Sequence, residues 1–263
     1  MRVLIVPEVR STRSRSLFAS FFADRCRGGT LSRVSRLELV ASSVLTQIYE
    51  VSTSDEAHLI SQVGVDHIGI LVGNGEFPRE LLVDSAAAVA AAVLAPSRVS
   101  ALFLTADLAI IEKYARELSP AIVHLGAAPE LLSPDDAASL KSKLPDMLLM
   151  RSVPVVDEES IAIARSYEAI ADLLLLDSHR ASDRQIGALG VTHDWTISRR
   201  IVELVRTPVI LAGGLGPDNV AEAIRAVRPA GVDSKTKTDQ TGSHQKDINR
   251  VRQFYEAARA ASL

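Results

Sequence analysis

Short apolar runs alternate with amphipathic stretches along most of the chain, and this alternation predicts its fold. From Leu45 onward, eight apolar runs are typical of buried parallel strands, and each is followed by residues with helical spacing. The predicted strands are Leu45–Val51, Asp66–Val72, Val99–Leu104, Ala121–Leu125, Met147–Ser152, Leu173–Asp177, Val209–Ala212 and Gly231–Ser234. The predicted helices are Asp55–Val63, Val83–Leu94, Leu108–Leu118, Pro134–Leu144, Glu158–Tyr167, Ile197–Val205, Pro217–Val227 and Lys246–Ala261.

Eight strand–helix units predict a closed barrel, the (β/α)8 TIM barrel, because such a number closes without edge strands. Residues 44–263 carry no Pro- or Ser-rich linker and are therefore predicted to form one domain. In such barrels the active site lies at the carboxyl ends of the strands. We therefore expect the catalytic and ligand-binding residues at those ends.

Composition narrows the classes of partner. Apolar residues make up 47% of the chain and charged residues 23%, which favours a globular core over disorder. The formal net charge of −3 and the short apolar stretches argue against binding to nucleic acid and against membrane insertion. Cys26 is the single cysteine, so we expect no intramolecular disulfide, no structural zinc site and a reducing compartment, taken as the cytoplasm.

Residues 1–43 differ from the rest, since they hold eight arginines, no lysine and three acids, a formal charge of +5. Such a segment resembles an organelle transit peptide, and a basic arm for an acidic partner is a second interpretation. We favour a third, that this extension is upstream sequence translated from a misassigned start, because the residues after Val44 already form a complete domain. Peptides from this segment in the native protein would contradict it.

The last third carries two turns suited to an anion. Gly213-Gly214 ends the predicted seventh strand, and Pro217 suits the first position of the next helix. A lysine-rich turn, Ser234 to Lys237, follows the eighth strand. Turns after strands seven and eight commonly bind phosphate in such barrels, so we expect a small phosphorylated ligand here.

Several motifs, in this order, resemble the phosphoribosylanthranilate isomerase family over residues 45–263. Val209–Leu215 with Pro217 and Asn219-Val220 is similar to its strand-seven signature. The other matching stretches are Val65–Gly69 with Pro78-Arg79, Val123–Leu125, Leu174–Ser178, Gly187 with Gly190 and Asp194-Trp195, Gly231–Asp233, Gly242, and Lys246-Asp247. The resemblance implies a barrel of the ribulose-phosphate-binding type, found as monomer or homodimer.

The resemblance also implies the reaction, a cofactor-free Amadori rearrangement of a phosphoribosyl-amine, from aldose to ketose, in tryptophan biosynthesis. No metal is implied. By position Asp177 would be the general acid that opens the furanose ring, and apolar neighbours would raise its pKa. Arg79 would bind the substrate carboxylate through two hydrogen bonds. The phosphate would bind at Gly213, Gly214, Ser234, Lys235 and Thr236, although Lys235-Thr236-Lys237 stands where the family carries Ser-Ser-Gly.

The general base is the larger departure, because Tyr49 occupies the position of the family's catalytic cysteine. To act near neutral pH, a phenol needs its pKa lowered by about 3 units, roughly 4 kcal/mol, from a neighbour such as Lys235 or Arg151. His124 is better tuned, since imidazole titrates near pH 6.5. Glu50 is already an anion, but strand alternation predicts that it points away from the side that Tyr49 faces. These three alternatives stay open.

Three functions remain compatible with this sequence. The first is the isomerase itself, with Tyr49 or His124 in place of the missing base. The second is an isomerase or lyase acting on another phosphorylated sugar, and the third is a non-catalytic phosphosugar-binding protein. Asp177 and Arg79 favour an enzyme, and Arg79 favours a carboxylated substrate, so the first function is preferred.

Overall fold

A computed structural model describes residues 43–178 and 192–261. Within these ranges eight parallel strands pair in chain order, and the eighth pairs back onto the first to close a barrel. The strands are β1 (Leu45–Ile48), β2 (His67–Leu71), β3 (Arg98–Phe103), β4 (Ile122–Leu125), β5 (Leu148–Val155), β6 (Leu173–Ser178), β7 (Val209–Leu211) and β8 (Gly231–Ser234). The predicted fold class is confirmed. The predicted extension, except its last residue, and the loop with Gly187 and Gly190 lie outside the described residues.

The described helices follow the strands one by one. They are α1 (Ser54–Val63), α2 (Val83–Ala91), α3 (Leu108–Leu118), α4 (Pro134–Lys143), α5 (Glu159–Tyr167), α6 (Trp195–Leu204), α7 (Val220–Val227) and α8 (Ile248–Ala261). In the two described ranges, no helix has both the length and the apolar character required to span a bilayer. All eight predicted helices exist, with ends that differ by up to three residues.

Both faces of the strands are buried, which explains why they read as continuous apolar runs. Side chains inside the barrel form one small cluster, and side chains between barrel and helices form a larger one. In β6, Leu173 and Leu175 belong to the inner cluster, whereas Leu174 and Leu176 belong to the outer one. Layers of such side chains fill the barrel. We therefore expect a ligand to bind at the mouth of the barrel and not inside it.

The starts of α4 and α7 differ in how they are capped. Ser133 caps α4 in a reciprocal pair of hydrogen bonds, since its hydroxyl accepts from Asp136 N while the Asp136 carboxylate accepts from Ser133 N. The expectation that Pro217 opens the next helix was wrong, because α7 begins at Val220. Asn219 accepts from Gly216 N at 2.8 Å and donates to Gly214 O at 3.2 Å, so these residues form a turn before the helix.

Candidate active site

Five residues predicted to bind phosphate line one cleft at the mouth of the barrel. This cleft, here called the phosphate cleft, has an empty volume of about 270 Å³. Its lining residues are Asp177, Gly213, Gly214, Leu215, Asp233, Ser234, Lys235 and Thr236. The structure therefore brings the glycine turn and the lysine turn together, as their places after β7 and β8 predict.

The glycine turn needs both of its glycines. Gly213 and Gly214 have φ angles of 83° and 63°, in the left-handed region that residues with a Cβ rarely adopt. A Cβ on Gly213 would also lie 2.7 Å from His193 Nδ1 and 3.4 Å from Asp177 Oδ1. The turn thus keeps the backbone close to both side chains.

The lysine turn is fixed to the glycine turn by Ser234, whose hydroxyl donates to Leu215 O at 2.7 Å. The two turns also pack closely at Gly216, since a Cβ at Gly216 would lie 2.6 Å from Lys237 Cβ. Lys235 turns inward, where its Nζ lies 2.8 Å from Asp239 Oδ2 and 2.8 Å from His244 Nδ1.

A second cleft, here called the deep cleft, adjoins the first and has an empty volume of about 490 Å³. Its lining residues are Tyr49, Glu50, Leu102, Leu104, His124, Ser152, Leu175, Asp177, Asp233 and Lys235. Asp177, Asp233 and Lys235 line both clefts. A ligand with its phosphate in the first cleft would therefore present the adjoining part of the molecule to these three residues.

Tyr49 lies inside the barrel and is held by two hydrogen bonds. Its hydroxyl is 2.7 Å from Ser100 Oγ and 2.7 Å from His124 Nδ1. Burial raises the pKa of Tyr49 well above its ordinary value, and the charge of Asp233 adds to the rise, while the bond to Ser100 opposes it. The lowering that a tyrosine base would need is therefore absent, and Arg151 is no source of it, since its guanidinium lies over the Tyr167 ring.

His124 completes the same buried chain of hydrogen bonds, with its Nε2 2.7 Å from Ser152 Oγ. Burial, followed by the charge of Arg151, lowers the pKa of His124 to about 3. A neutral imidazole with both ring nitrogens engaged is a weak proton acceptor. The geometry gives His124 a role in holding Tyr49.

Glu50 lines the same cleft as Tyr49, so the expectation that it points away was wrong. β1 ends at Ile48, and strand alternation does not extend to Glu50. Its carboxylate accepts from Arg79 Nε at 2.7 Å and from Arg79 Nη2 at 3.3 Å, and its Oε2 lies 3.7 Å from Lys235 Nζ. Burial raises the pKa of Glu50, but Arg79, Lys235 and Lys246 together hold it below its ordinary value.

Arg79 therefore carries a carboxylate partner from the chain itself. Its backbone has a φ of 67°, uncommon for a residue with a side chain, and such strain is concentrated at functional sites. The hydrogen bond to Glu50 raises the pKa of Arg79, so the guanidinium is charged. The side chain is 34% exposed, which leaves it within reach of a ligand.

Asp233 is a site residue that the sequence did not single out. Burial raises the pKa of its carboxyl well above the ordinary value, the charge of Asp177 adds to the rise, and the nearby Gln47 amide opposes it. The available signal was its position at the end of β8, next to Ser234. A carboxyl that keeps its proton at neutral pH can donate a hydrogen bond.

Lys246 was also missed as a support of the site. Its side chain is fully buried, and its Nζ lies 2.5 Å from Asp239 Oδ1 and donates to Lys235 O at 3.3 Å. Burial lowers the pKa of Lys246, and the charge of Asp239 opposes this. The Lys246–Asp239 pair thereby fixes the backbone and ammonium of Lys235.

The part of the chain that the structure describes holds no group of three His, Cys, Asp or Glu side chains suited to a metal ion. The polar side chains that line the two clefts carry carboxyl, ammonium, hydroxyl and imidazole groups.

Comparison with known proteins decides the family. The family model of N-(5'-phosphoribosyl)anthranilate (PRA) isomerase matches residues 48–257. The chain belongs to the PRA isomerase family.

Curated PRA isomerases are similar over nearly their whole length. The enzyme named so in Methanocella arvoryzae is 36% identical over 215 residues, which cover 81% of this chain and 97% of the relative. The one in Haloferax volcanii is 35% identical over 222 residues, with 82% and 95% covered.

Solved structures of PRA isomerases share the fold. The Thermotoga maritima protein has a TM-score of 0.68 at 21% identity, and the Pyrococcus furiosus protein 0.67 at 20%, each covering 82% of this chain and 99% of the other. A thiamine phosphate pyrophosphorylase from Pyrococcus furiosus also matches, with a TM-score of 0.59 at 17% identity. The barrel fold alone therefore does not identify the reaction. The reaction has to be inferred from the residues that line the two clefts.

Proposed function

We propose that this protein catalyses the isomerisation of phosphoribosylanthranilate, the Amadori rearrangement in tryptophan biosynthesis. The observation that carries the proposal is that Asp177 lines both the phosphate cleft and the deep cleft. Curated relatives that are 35–36% identical bear the name of this isomerase. A solved PRA isomerase was crystallised in complex with reduced 1-(o-carboxyphenylamino)-1-deoxyribulose 5-phosphate, here called the reduced product analogue.

The substrate phosphate binds between the two turns. The left-handed backbone at Gly213 and Gly214 brings amide groups close to the cleft without side chains in the way. The ammonium of Lys235 adds a point charge, and Ser234 and Thr236 lie beside it. These five residues form the phosphate-binding set.

Asp177 is the general acid. It donates a proton to the furanose ring oxygen as the bond from that oxygen to C1 breaks, and the nitrogen lone pair forms the C1–N double bond. Asp177 Oδ1 accepts from Ser178 N at 2.7 Å and from Ser178 Oγ at 3.3 Å. These contacts orient the carboxyl at the end of β6, which supports a group that has to meet one atom of the substrate.

Arg79 is the residue for the substrate carboxylate. Its planar guanidinium already holds one carboxylate through two hydrogen bonds, that of Glu50. This pairing also favours the second candidate function, an isomerase or lyase for a phosphorylated sugar without a carboxylate. In that second function, Arg79 stays hydrogen-bonded to Glu50 when the substrate binds. A non-catalytic phosphosugar-binding protein is the third candidate.

Complementation separates these candidates. The gene for this protein is introduced into a tryptophan auxotroph that lacks PRA isomerase, beside a gene carrying Asp177→Asn. Growth with the unchanged gene and none with the variant is the expected result. Absence of growth from the unchanged gene, with the protein detected in the cells, would leave the second and third candidates.

We further propose a cytoplasmic protein that is a monomer or a homodimer. The single cysteine of the sequence suits a reducing compartment. Sedimentation of the purified protein distinguishes the two assembly states, and fractionation of the source cells tests the compartment.

A further inference from the structure

Glu50 is the one anionic group of the deep cleft to which the reaction so far assigns nothing. Its side chain is 11% exposed and lies between Arg79 and Lys235. Mostly buried carboxylates that face a cleft and are held by cations are typical of functional sites. The proposed isomerisation needs a group that removes the C2 proton. The family's cysteine does not supply it here, because Tyr49 stands at that position.

The two other candidates are committed elsewhere. Tyr49 Oη is engaged by Ser100 and His124, and both ring nitrogens of His124 lie 2.7 Å from hydroxyl oxygens. Ser100, Tyr49, His124 and Ser152 thus form one buried chain of hydrogen bonds. Breaking it to accept a proton from the substrate would leave buried polar atoms without partners.

Asp233 does not serve as the proton acceptor either. Its carboxyl is only 6% exposed, and burial raises its pKa well above the ordinary value, so it keeps the proton that a base would have to lack. Glu50 differs from Asp233 because cations surround it. An ionised carboxylate at the cleft wall is the state that a general base needs.

We propose that Glu50 is the general base, and that the substrate carboxylate releases it by taking over Arg79. This inference rests on the proposed isomerase function. Before binding, Arg79 holds Glu50 through two hydrogen bonds. A substrate carboxylate offers Arg79 an equivalent partner, so the exchange replaces one ion pair by another and leaves Glu50 facing the reacting sugar.

The proton balance of the reaction is then complete. Asp177 gives a proton to the ring oxygen, the C1–O bond breaks, and a C1–N double bond forms. Glu50 takes the C2 proton, the electrons of that C–H bond form a C1–C2 double bond, and the C1–N electrons return to nitrogen. The resulting enolamine becomes the ketone as its C2 hydroxyl loses a proton and C1 gains one, so protons taken and given are equal.

The charged groups around Glu50 come from three segments. Arg79 lies on the segment after β2, Lys235 and Asp239 follow β8, and Lys246 precedes α8. Asp239 is shared by Lys235 and Lys246, which limits the charge that Lys235 directs at Glu50. Arg79 is therefore the partner whose departure changes Glu50 most.

Glu50→Gln tests the proposal, because it keeps the shape and removes the base. We expect kcat on phosphoribosylanthranilate to fall by about 10² to 10⁴-fold, the usual contribution of a general base. Affinity for the reduced product analogue, measured by calorimetry, should be unchanged or tighter, because Arg79 no longer has a competing carboxylate. Glu50→Asp should restore part of kcat.

Glu112→Gln is the matched control, since Glu112 also pairs with an arginine and a lysine, Arg116 and Lys143, but none of these three residues lines either cleft. It should leave kcat unchanged. If Glu50→Gln folds, binds the analogue and keeps kcat within about five-fold of the unchanged protein, Glu50 is not the base, since a base contributes at least about 10²-fold. A raised KM with unchanged kcat would likewise reduce Glu50 to a partner of Arg79.

Turnover by the unchanged protein distinguishes a failure of the Glu50 assignment from a failure of the proposed isomerase function. If it turns over phosphoribosylanthranilate while Glu50→Gln does so equally well, only the assignment of Glu50 fails. If the unchanged protein shows no turnover, the proposed function fails, and the role of Glu50 in that reaction is overturned with it.

Discussion

The carboxyl groups of Asp177 and Asp233 line the same two clefts at the mouth of the barrel, and the charge of Asp177 raises the pKa of Asp233. Burial is the larger cause of that rise. Asp233 therefore holds its proton to higher pH than an ordinary aspartate does.

Asp233→Asn is expected to stabilise the fold increasingly as pH rises from about 4 towards the raised pKa of the folded carboxyl. Unfolded Asp233 loses its proton near pH 3.9, whereas the folded form keeps it, so the wild-type fold loses stability as pH rises through the folded pKa. The loss is about 1.4 kcal/mol per pH unit within that window. Denaturant unfolding of both proteins across pH measures it; a difference in unfolding free energy that stays constant with pH would contradict the raised pKa.

Gly213→Ala is expected to destabilise the protein by more than about 1 kcal/mol and to weaken binding of inorganic phosphate, because φ is positive and the new Cβ meets His193. Gly64→Ala is the control: Gly64 has a φ of 99°, and a Cβ there meets Tyr255 Oη at 3.1 Å, but it ends α1 and precedes β2. The control should lose stability without losing phosphate affinity. Equal phosphate affinity in all three proteins would remove the glycine turn from the phosphate site.

Tyr49→Phe is expected to retain kcat within about five-fold, since a general base contributes at least about 10²-fold and burial raises the pKa of this phenol. Stability should fall by about 1–3 kcal/mol, because Ser100 and His124 lose a buried partner. Steady-state kinetics and thermal unfolding measure the two effects. A loss of kcat by two orders of magnitude in a folded variant would return the role of base to Tyr49.

The acid limbs of the pH profiles test the exchange at Arg79. In the free protein Arg79, Lys235 and Lys246 keep the pKa of Glu50 below its ordinary value, so kcat/KM should fall only below about pH 4.3. With substrate bound, Glu50 has lost Arg79 and its pKa rises, so kcat should begin to fall at higher pH than kcat/KM. Coincident limbs would show that Arg79 keeps Glu50 throughout the cycle.

The sequence predicted the fold well because parallel strands buried on both faces leave an unambiguous apolar signal. β8 was predicted at its observed bounds, Gly231–Ser234, and α3 at Leu108–Leu118. Ends were missed where side chains redirect the backbone. Asn219 delays α7 by binding Gly216 N, and no periodicity encodes such a contact.

The site was predictable only in part, for a related reason. Gly213, Gly214 and the lysine turn follow adjacent strands, and topology alone brings them together. Glu50 was misplaced because alternation was extended beyond the end of β1. The raised pKa of Asp233 depends on burial and on the charge of Asp177, which lies on β6, whereas Asp233 lies on β8. The spacing of these residues in the sequence therefore does not predict it.

Turnover of phosphoribosylanthranilate by the purified full-length protein, beside Asp177→Asn, tests whether the protein is an isomerase in which Asp177 is the general acid. Chromatography of the reaction mixture should show conversion to the ketose product by the unchanged protein. The variant should fold normally and lose about 10² to 10⁴-fold in kcat, as expected when a general acid is removed. No conversion by a folded protein that binds inorganic phosphate would contradict the isomerase function, and full activity of Asp177→Asn would contradict the role of Asp177 as the acid.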